Sequence, residues 1–82
     1  MDKIWVLYSR EQGNGLGCKP HDPEIEYTTE NKEKAIAKIE EIFNTKKGLG
    51  SKEWDSEDHE SFTLPGMNYL THYYIKSIEL DD

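Results

Sequence analysis

The chain has 82 residues, of which 17 are Asp or Glu and 10 are Lys or Arg, so its formal net charge is −7. This length allows one domain, residues 1–82, and the acid excess argues against direct nucleic-acid binding, which needs clustered Lys and Arg. No run approaches the ~18 apolar residues that span a membrane, and one Cys cannot form an internal disulfide. We therefore expect a cytoplasmic protein that does not bind membranes.

Two strands are predicted before the first helix. Residues 4–8 are five consecutive apolar residues, rich in β-formers, which predicts a central strand covered on both faces. Residues 24–28 alternate strictly between polar and apolar, which predicts a short, half-buried strand at a sheet edge. The long connection between them, residues 9–23, is rich in Gly at first and then in Pro, and such loops are often functional.

A helix is predicted at residues 30–46 because apolar side chains recur there at spacings of three and four. The residues on that face are Ala35, Ile36, Ile39, Ile42 and Phe43. Thr29 is the predicted N-cap, since its hydroxyl can accept a hydrogen bond from an otherwise unpaired backbone N–H. Gly48 is predicted to end the helix by adopting a left-handed conformation.

Two further strands are predicted after the helix, a short one around Phe62 and Leu64 and a long one at residues 71–80. The element order is then ββαββ. One helix cannot cover both faces of a sheet, so we predict a two-layer α+β fold with the helix packed on a small, mostly antiparallel sheet. A core this thin also makes a homodimer an expected way to bury more apolar surface.

The glycine-rich segment 13–17 is a candidate phosphate-binding loop, because backbone N–H groups without side chains can surround an anion. It lacks the spacing of a dinucleotide-binding motif and the Lys of a P-loop, so a flexible connection is the alternative. A nucleotide-type ligand would be bound by residues of this loop and its flanks, with strand aromatics stacking on the base: Arg10, Gly13, Asn14, Gly15, Gly17 and Lys19. The candidate stacking residues are Trp5, Tyr69, Tyr73 and Tyr74, although packing within the core and the sheet is the expectation that we favour for them.

Cys18 and His21 have the spacing of half a metal site or of a Cys–His nucleophile pair. His59 and His72 are the remaining candidates for metal ligands, but no paired motif contains them. No motif supplies the other roles of a catalytic site either. We expect neither an enzyme nor a protein with a metal or cofactor.

The segment 53–60 contains five carboxylates in eight residues, and residues 48–82 carry six of the seven net negative charges. Its spacing does not fit a calcium-binding EF-hand loop. The alternatives are a solvated loop or a surface that meets a basic partner. Trp54 within it is either an anchor into the core or an exposed contact residue. The predicted protein-binding residues are Trp54, Asp55, Glu57, Asp58 and Glu60.

Three parts of the chain resemble the small acidic proteins common in bacteriophages and prophages: the opening strand 3–8, the capped helix start 29–35 and the closing strand 74–81. The resemblance around these segments extends over about half of the chain. The resemblance implies the cytoplasm of a bacterial host and a protein that acts without catalysis, by blocking a host protein or sequestering a host signal. No functional residue carries over from it.

The predicted function is therefore a non-catalytic binding module. It would be an inhibitor or adaptor whose acidic surface blocks a host defence protein that has a basic surface. The alternative is a small-ligand binder that sequesters a nucleotide-type signal through the glycine-rich loop and the aromatic residues.

Overall fold

The computed structural model describes residues 2–13, 22–46, 48, 52–66 and 69–80. The elements are β1 (Asp2–Gly13), β2 (Glu24–Thr29), α1 (Lys32–Thr45), β3 (Ser61–Pro65) and β4 (Tyr69–Leu80). The strands form one antiparallel sheet in the order β2-β1-β4-β3, and α1 packs on one side of it. The predicted two-layer α+β fold is confirmed.

The two central strands are longer than the sequence pattern predicted. β1 and β4 have 12 residues each and pair along their whole length, from Asp2 opposite Leu80 to Gly13 opposite Tyr69. Residues 9–13 were predicted as part of the long connection because they lack the residue pattern of a strand. They belong to β1 because their backbone pairs with β4. β2 is an edge strand, as predicted, and β3 forms the other edge.

The helix begins two residues later than predicted, and its N-cap is Asn31 rather than Thr29. Asn31 has an extended backbone (φ −118°, ψ 116°), and its side-chain oxygen accepts a hydrogen bond of 2.8 Å from the Glu33 amide. The Thr29 hydroxyl instead accepts a hydrogen bond of 3.2 Å from the Asn31 amide. Both residue types can cap a helix, and Thr29 is committed to the end of β2, so the cap falls to Asn31.

The helix ends at Thr45 and not through a left-handed Gly48. Lys46 is the C-cap, with an extended backbone (φ −80°, ψ 134°) and an amide that donates to the Ile42 carbonyl at 2.9 Å. The ammonium of Lys52 donates to the carbonyls of Phe43 and Lys46, which satisfies groups at the helix end. Gly48 has no left-handed φ, and a Cβ there would lie only 2.6 Å from the Pro65 carbonyl oxygen. A larger residue at position 48 would therefore collide with the backbone of Pro65.

The hydrophobic core lies between α1 and the sheet and is centred on Leu7, Ile39, Phe62 and Tyr73. The ring of Phe62 stacks on Tyr73 at 5.1 Å and meets Phe43 edge-on at 5.0 Å between centroids. Such aromatic pairs each add about 0.5–1.5 kcal/mol beyond the burial of their area. Aromatic side chains thus compensate for the small number of aliphatic residues.

The side of the sheet opposite α1, here called the open face, carries the even-numbered residues of β1 and β4 from the Ile4–Ile78 pair to the Gln12–Leu70 pair. No described element packs on this face. The prediction that residues 4–8 are covered on both sides holds only at Val6 and Leu7, which point to opposite faces and are both buried. Within the described ranges, no helix is long and apolar enough to cross a membrane.

Candidate functional site

The acidic segment 53–60, here called the acidic loop, is a closed hairpin loop. At its ends, Trp54 forms an antiparallel bridge with Phe62, and the Asp55 amide donates to the Ser61 carbonyl at 2.9 Å. The Glu60 carbonyl accepts a further hydrogen bond of 3.0 Å from the Ile75 amide of β4. The loop is therefore continuous with the sheet through its backbone.

Within the loop, a turn is closed by the His59 amide, which donates to the Ser56 carbonyl at 3.3 Å. The carboxylate of Asp58 accepts from the Ser56 hydroxyl and, at 3.3 Å, from the Glu60 amide. The hydrogen bond from Ser56, together with that from Glu60, holds the pKa of Asp58 below its usual value, although desolvation acts in the opposite direction. Asp58 is thus a charged residue that also shapes the turn.

His59 has a left-handed backbone (φ 60°), which is unusual for a residue other than Gly. Its ring lies flat against the Trp54 indole, with centroids 4.2 Å apart, and its Nδ1 is 2.9 Å from Oε2 of Glu40 on α1. These contacts fasten the loop to the helix. They offset a backbone strain of about 1–2 kcal/mol.

Trp54 is enclosed on both faces of its ring. The Phe43 ring stacks on one face at 4.3 Å between centroids, and the His59 ring stacks at 4.2 Å, while Phe62 meets the indole edge-on at 5.3 Å. Trp54 was predicted to be either an anchor into the core or an exposed contact residue. In the structure it is the anchor.

Of the four acidic residues predicted to bind protein, Asp55, Glu57 and Asp58 are exposed and share one loop. Glu60 is partly covered, and its carboxylate forms an ion pair of 3.0 Å with Lys32 at the start of α1. Asp55 lies 3.6 Å from Nδ1 of His72 on β4. Sequence reasoning missed Lys32 and Glu40 and considered His72 only as a metal ligand. No local signal marks these contacts, because the partners lie far apart along the chain.

The four aromatic residues that were predicted to stack on a ligand lie in different parts of the fold. Tyr73 is in the core and Trp5 faces the helix side, where the Lys32 ammonium lies 5.3 Å from its ring centroid. Tyr69 is exposed at the start of β4. Tyr74 alone of the four lies on the open face, in a row with Tyr8 and His72 in which neighbouring centroids are 5.3 Å apart.

A shallow groove of about 470 Å³ runs along the open face beside the acidic loop, and Arg10, His72, Tyr74 and Lys76 are among its lining residues. Gly13 ends β1 opposite Tyr69. The other candidates of the glycine-rich loop lie outside the described residues: Asn14, Gly15, Gly17 and Lys19. Cys18 and His21 also lie outside them, and in the part of the chain that is described no group of three or more His, Cys, Asp or Glu is placed to hold a metal ion.

No protein-family model matches the chain, and no curated protein and no solved structure is significantly similar to it. The assignment of a function therefore depends on the geometry of the chain itself.

Proposed function

We propose that this protein is a non-catalytic binding module that occupies a basic surface of a partner protein with its acidic loop. The observation that carries the proposal is that the loop is closed and anchored while Asp55, Glu57 and Asp58 remain exposed on it. The resemblance to phage proteins suggests the partner, a host protein of bacterial defence whose active surface the loop would block.

A fixed loop favours binding for an entropic reason. Ordering a flexible loop at an interface costs free energy that is subtracted from the affinity, and the anchoring of Trp54 between Phe43 and His59 provides that order beforehand. Exposed carboxylates then attract a basic surface over a distance of about one Debye length, roughly 8 Å at physiological ionic strength. The charge of the loop thus sets the rate of encounter and the choice of partner.

The test is a double variant, Asp55→Asn with Glu57→Gln, which removes two charges without removing the Asp58 or Glu60 contacts that shape the loop. The matched control is Glu24→Gln with Glu30→Gln, two exposed carboxylates outside the loop. The immobilised protein is exposed to bacterial lysate, the retained protein is identified, and its Kd is measured across a range of salt concentrations.

We expect the loop variant to weaken binding about tenfold at low salt and to flatten the salt dependence, and the control to change the Kd by less than about twofold. Equal effects of the two variants would reject the acidic loop as the binding surface. Retention by the wild type that is insensitive to salt would reject it as well.

A second candidate function is supported by the groove on the open face, where the Lys76 ammonium lies 5.6 Å from the centroid of the Tyr74 ring and Arg10 is a further lining residue. A ring-bearing anion such as a nucleoside phosphate would stack on the aromatic row while its phosphate meets the cations. A nucleoside triphosphate should then raise the melting temperature of the wild type and not of Lys76→Gln. An unchanged melting temperature of the wild type at millimolar nucleotide would exclude this function.

A further inference from the structure

The open face carries most of the exposed apolar side chains. Within the described residues, the large hydrophobic side chains that remain exposed are Ile25, Tyr69, Ile78 and Leu80, at 64%, 47%, 40% and 39%. Three of them lie on this one face: Ile78 opposite Ile4, Leu80 at the end of β4, and Ile25 of β2 opposite Tyr8 of β1. Exposed apolar side chains that gather on one face, rather than lying scattered over the surface, are typical of an interaction site.

On this face β1 and β4 contribute no carboxylate from the Ile4–Ile78 pair to the Gln12–Leu70 pair, although the chain has 17 acidic residues; the next pair beyond Ile4–Ile78 is Asp2–Leu80. Its charged groups in those rows are Arg10 and Lys76, and His72 lies between them. The acids lie at its margin, where Asp55 is 3.6 Å from His72 and Glu60 borders the groove with Lys76. Two copies that each carry a net charge of −7 repel, and contact through this acid-poor face keeps most of their carboxylates out of the interface.

We propose that the open face binds a second copy of this chain, so that two sheets pack face to face in a helix–sheet–sheet–helix dimer. Two identical sheets have the same twist, and sheets with matching twist pack with their strands about 30° apart. A two-fold dimer uses the same patch on both copies, so one apolar face suffices for both sides of the interface. This inference is independent of the partner of the acidic loop, and it competes with the second candidate function, because both would use the face that carries Tyr74 and Lys76.

The size of the open face suits such a dimer. The β1–β4 ladder has 12 residues in each strand. At about 3.4 Å per residue it is roughly 40 Å long, and about three strands across give a projected area of roughly 600 Å². Accessible surface exceeds projected area, and a specific interface buries about 800 Å² on each partner. Most of the face is therefore needed, and a small ligand would leave most of it uncovered.

The test is the molar mass of the full chain by light scattering over a range of concentrations, for the wild type, Ile78→Lys and Tyr69→Lys. Ile78 and Tyr69 are similarly exposed, but their side chains lie on opposite sides of the sheet, so Tyr69→Lys is the matched control. We expect the wild type at about 100 μM to have twice the 9.6 kDa mass of the chain, Ile78→Lys to raise the dimer Kd at least tenfold, and Tyr69→Lys to leave it within about twofold.

The melting temperature separates loss of the dimer from loss of the fold. That of the wild type should rise with protein concentration, and that of Ile78→Lys should not, while both variants keep the circular dichroism of the fold. A second variant, Ile25→Lys on the edge strand β2, should weaken the dimer in the same direction. A monomeric wild type at about 100 μM, or a dimer equally stable in Ile78→Lys, would overturn the proposal.

Discussion

At the scale of single residues, His59 combines an unfavourable backbone with favourable side-chain contacts. Its φ of 60° suits Gly, yet its ring stacks on Trp54 and its Nδ1 lies 2.9 Å from the Glu40 carboxylate. The contacts of the side chain therefore act against the cost of the backbone. This makes His59 the residue at which the attachment of the acidic loop can be tested most directly.

We predict that His59→Ala lowers the free energy of unfolding by about 2 kcal/mol, because the ring stack and the contact with Glu40 are lost while the left-handed strain remains. His59→Gly loses the same contacts but removes the strain, so it should be more stable than His59→Ala by about 1 kcal/mol. Urea denaturation of the two variants measures both numbers. Glu40→Gln, which leaves the backbone unchanged, isolates the contact with the helix. Equal stabilities of the Ala and Gly variants would contradict the role of the strain.

At the scale of elements, the start of α1 shows how a sequence pattern can be right about a helix and wrong about its cap. Thr29 and Asn31 are both capping residue types, and only the end of β2 decides between them. We predict that Asn31→Ala lowers the free energy of unfolding by about 1 kcal/mol, because the Glu33 amide loses its acceptor.

Thr29→Ala is the matched comparison for this cap. Among the described residues its hydroxyl accepts from the exposed Asn31 amide alone, so we expect a loss of less than about 0.5 kcal/mol, by the same urea measurement. A larger loss in Thr29→Ala than in Asn31→Ala would place the cap at Thr29 after all.

The elements that the sequence predicted are those with a local pattern. The spacing of Ala35, Ile39 and Ile42 predicts α1, and the alternation of residues 24–28 predicts an edge strand, because each signal is contained within a few turns or pairs. The extension of β1 to Gly13 and the strand order depend on pairing with β4, more than 50 residues away in the chain. Nothing local in residues 9–13 records that pairing.

In the candidate site, too, the sequence predicts the features that have a local pattern and misses those that depend on distant residues. The five carboxylates of segment 53–60 are visible in the sequence, and so is the question of where Trp54 points. The answer depends on Phe43 and His59, and the open face depends on which residues of β1 and β4 share a side of the sheet. Both are consequences of tertiary packing.

At the scale of the whole molecule, a dimer through the open face would make the protein bivalent. Two acidic loops on one particle would bind neighbouring copies of a partner, or an oligomeric one, more tightly than a single loop does, because the second contact forms at a high effective concentration. The two surfaces are distinct in their residues, so Ile78→Lys should remove this gain while each loop keeps its own affinity.

The stability of the whole fold should also depend on one buried phenol in its centre. Tyr73 belongs to the core, and burial raises the pKa of its phenol above the ordinary value of 10.0, with Glu26 and Glu11 adding to the effect. A raised pKa means that folding favours the neutral phenol, so its contribution to stability is complete below pH 10.0 and is lost as the pH rises through the folded-state pKa. We predict that the melting temperature of the wild type falls as the pH rises above 10.0.

Tyr73→Phe should have nearly the same melting temperature as the wild type at neutral pH, because the ring and its stack on Phe62 remain. Above pH 10.0 it should be the more stable of the two, since no phenolate has to form in the core. Tyr8→Phe, whose ring lies on the other side of the sheet from Tyr73, is the control and should follow the wild type throughout. Parallel alkaline melting curves of the wild type and Tyr73→Phe would show that other groups govern the loss of stability, and the buried phenol would then have no part in it.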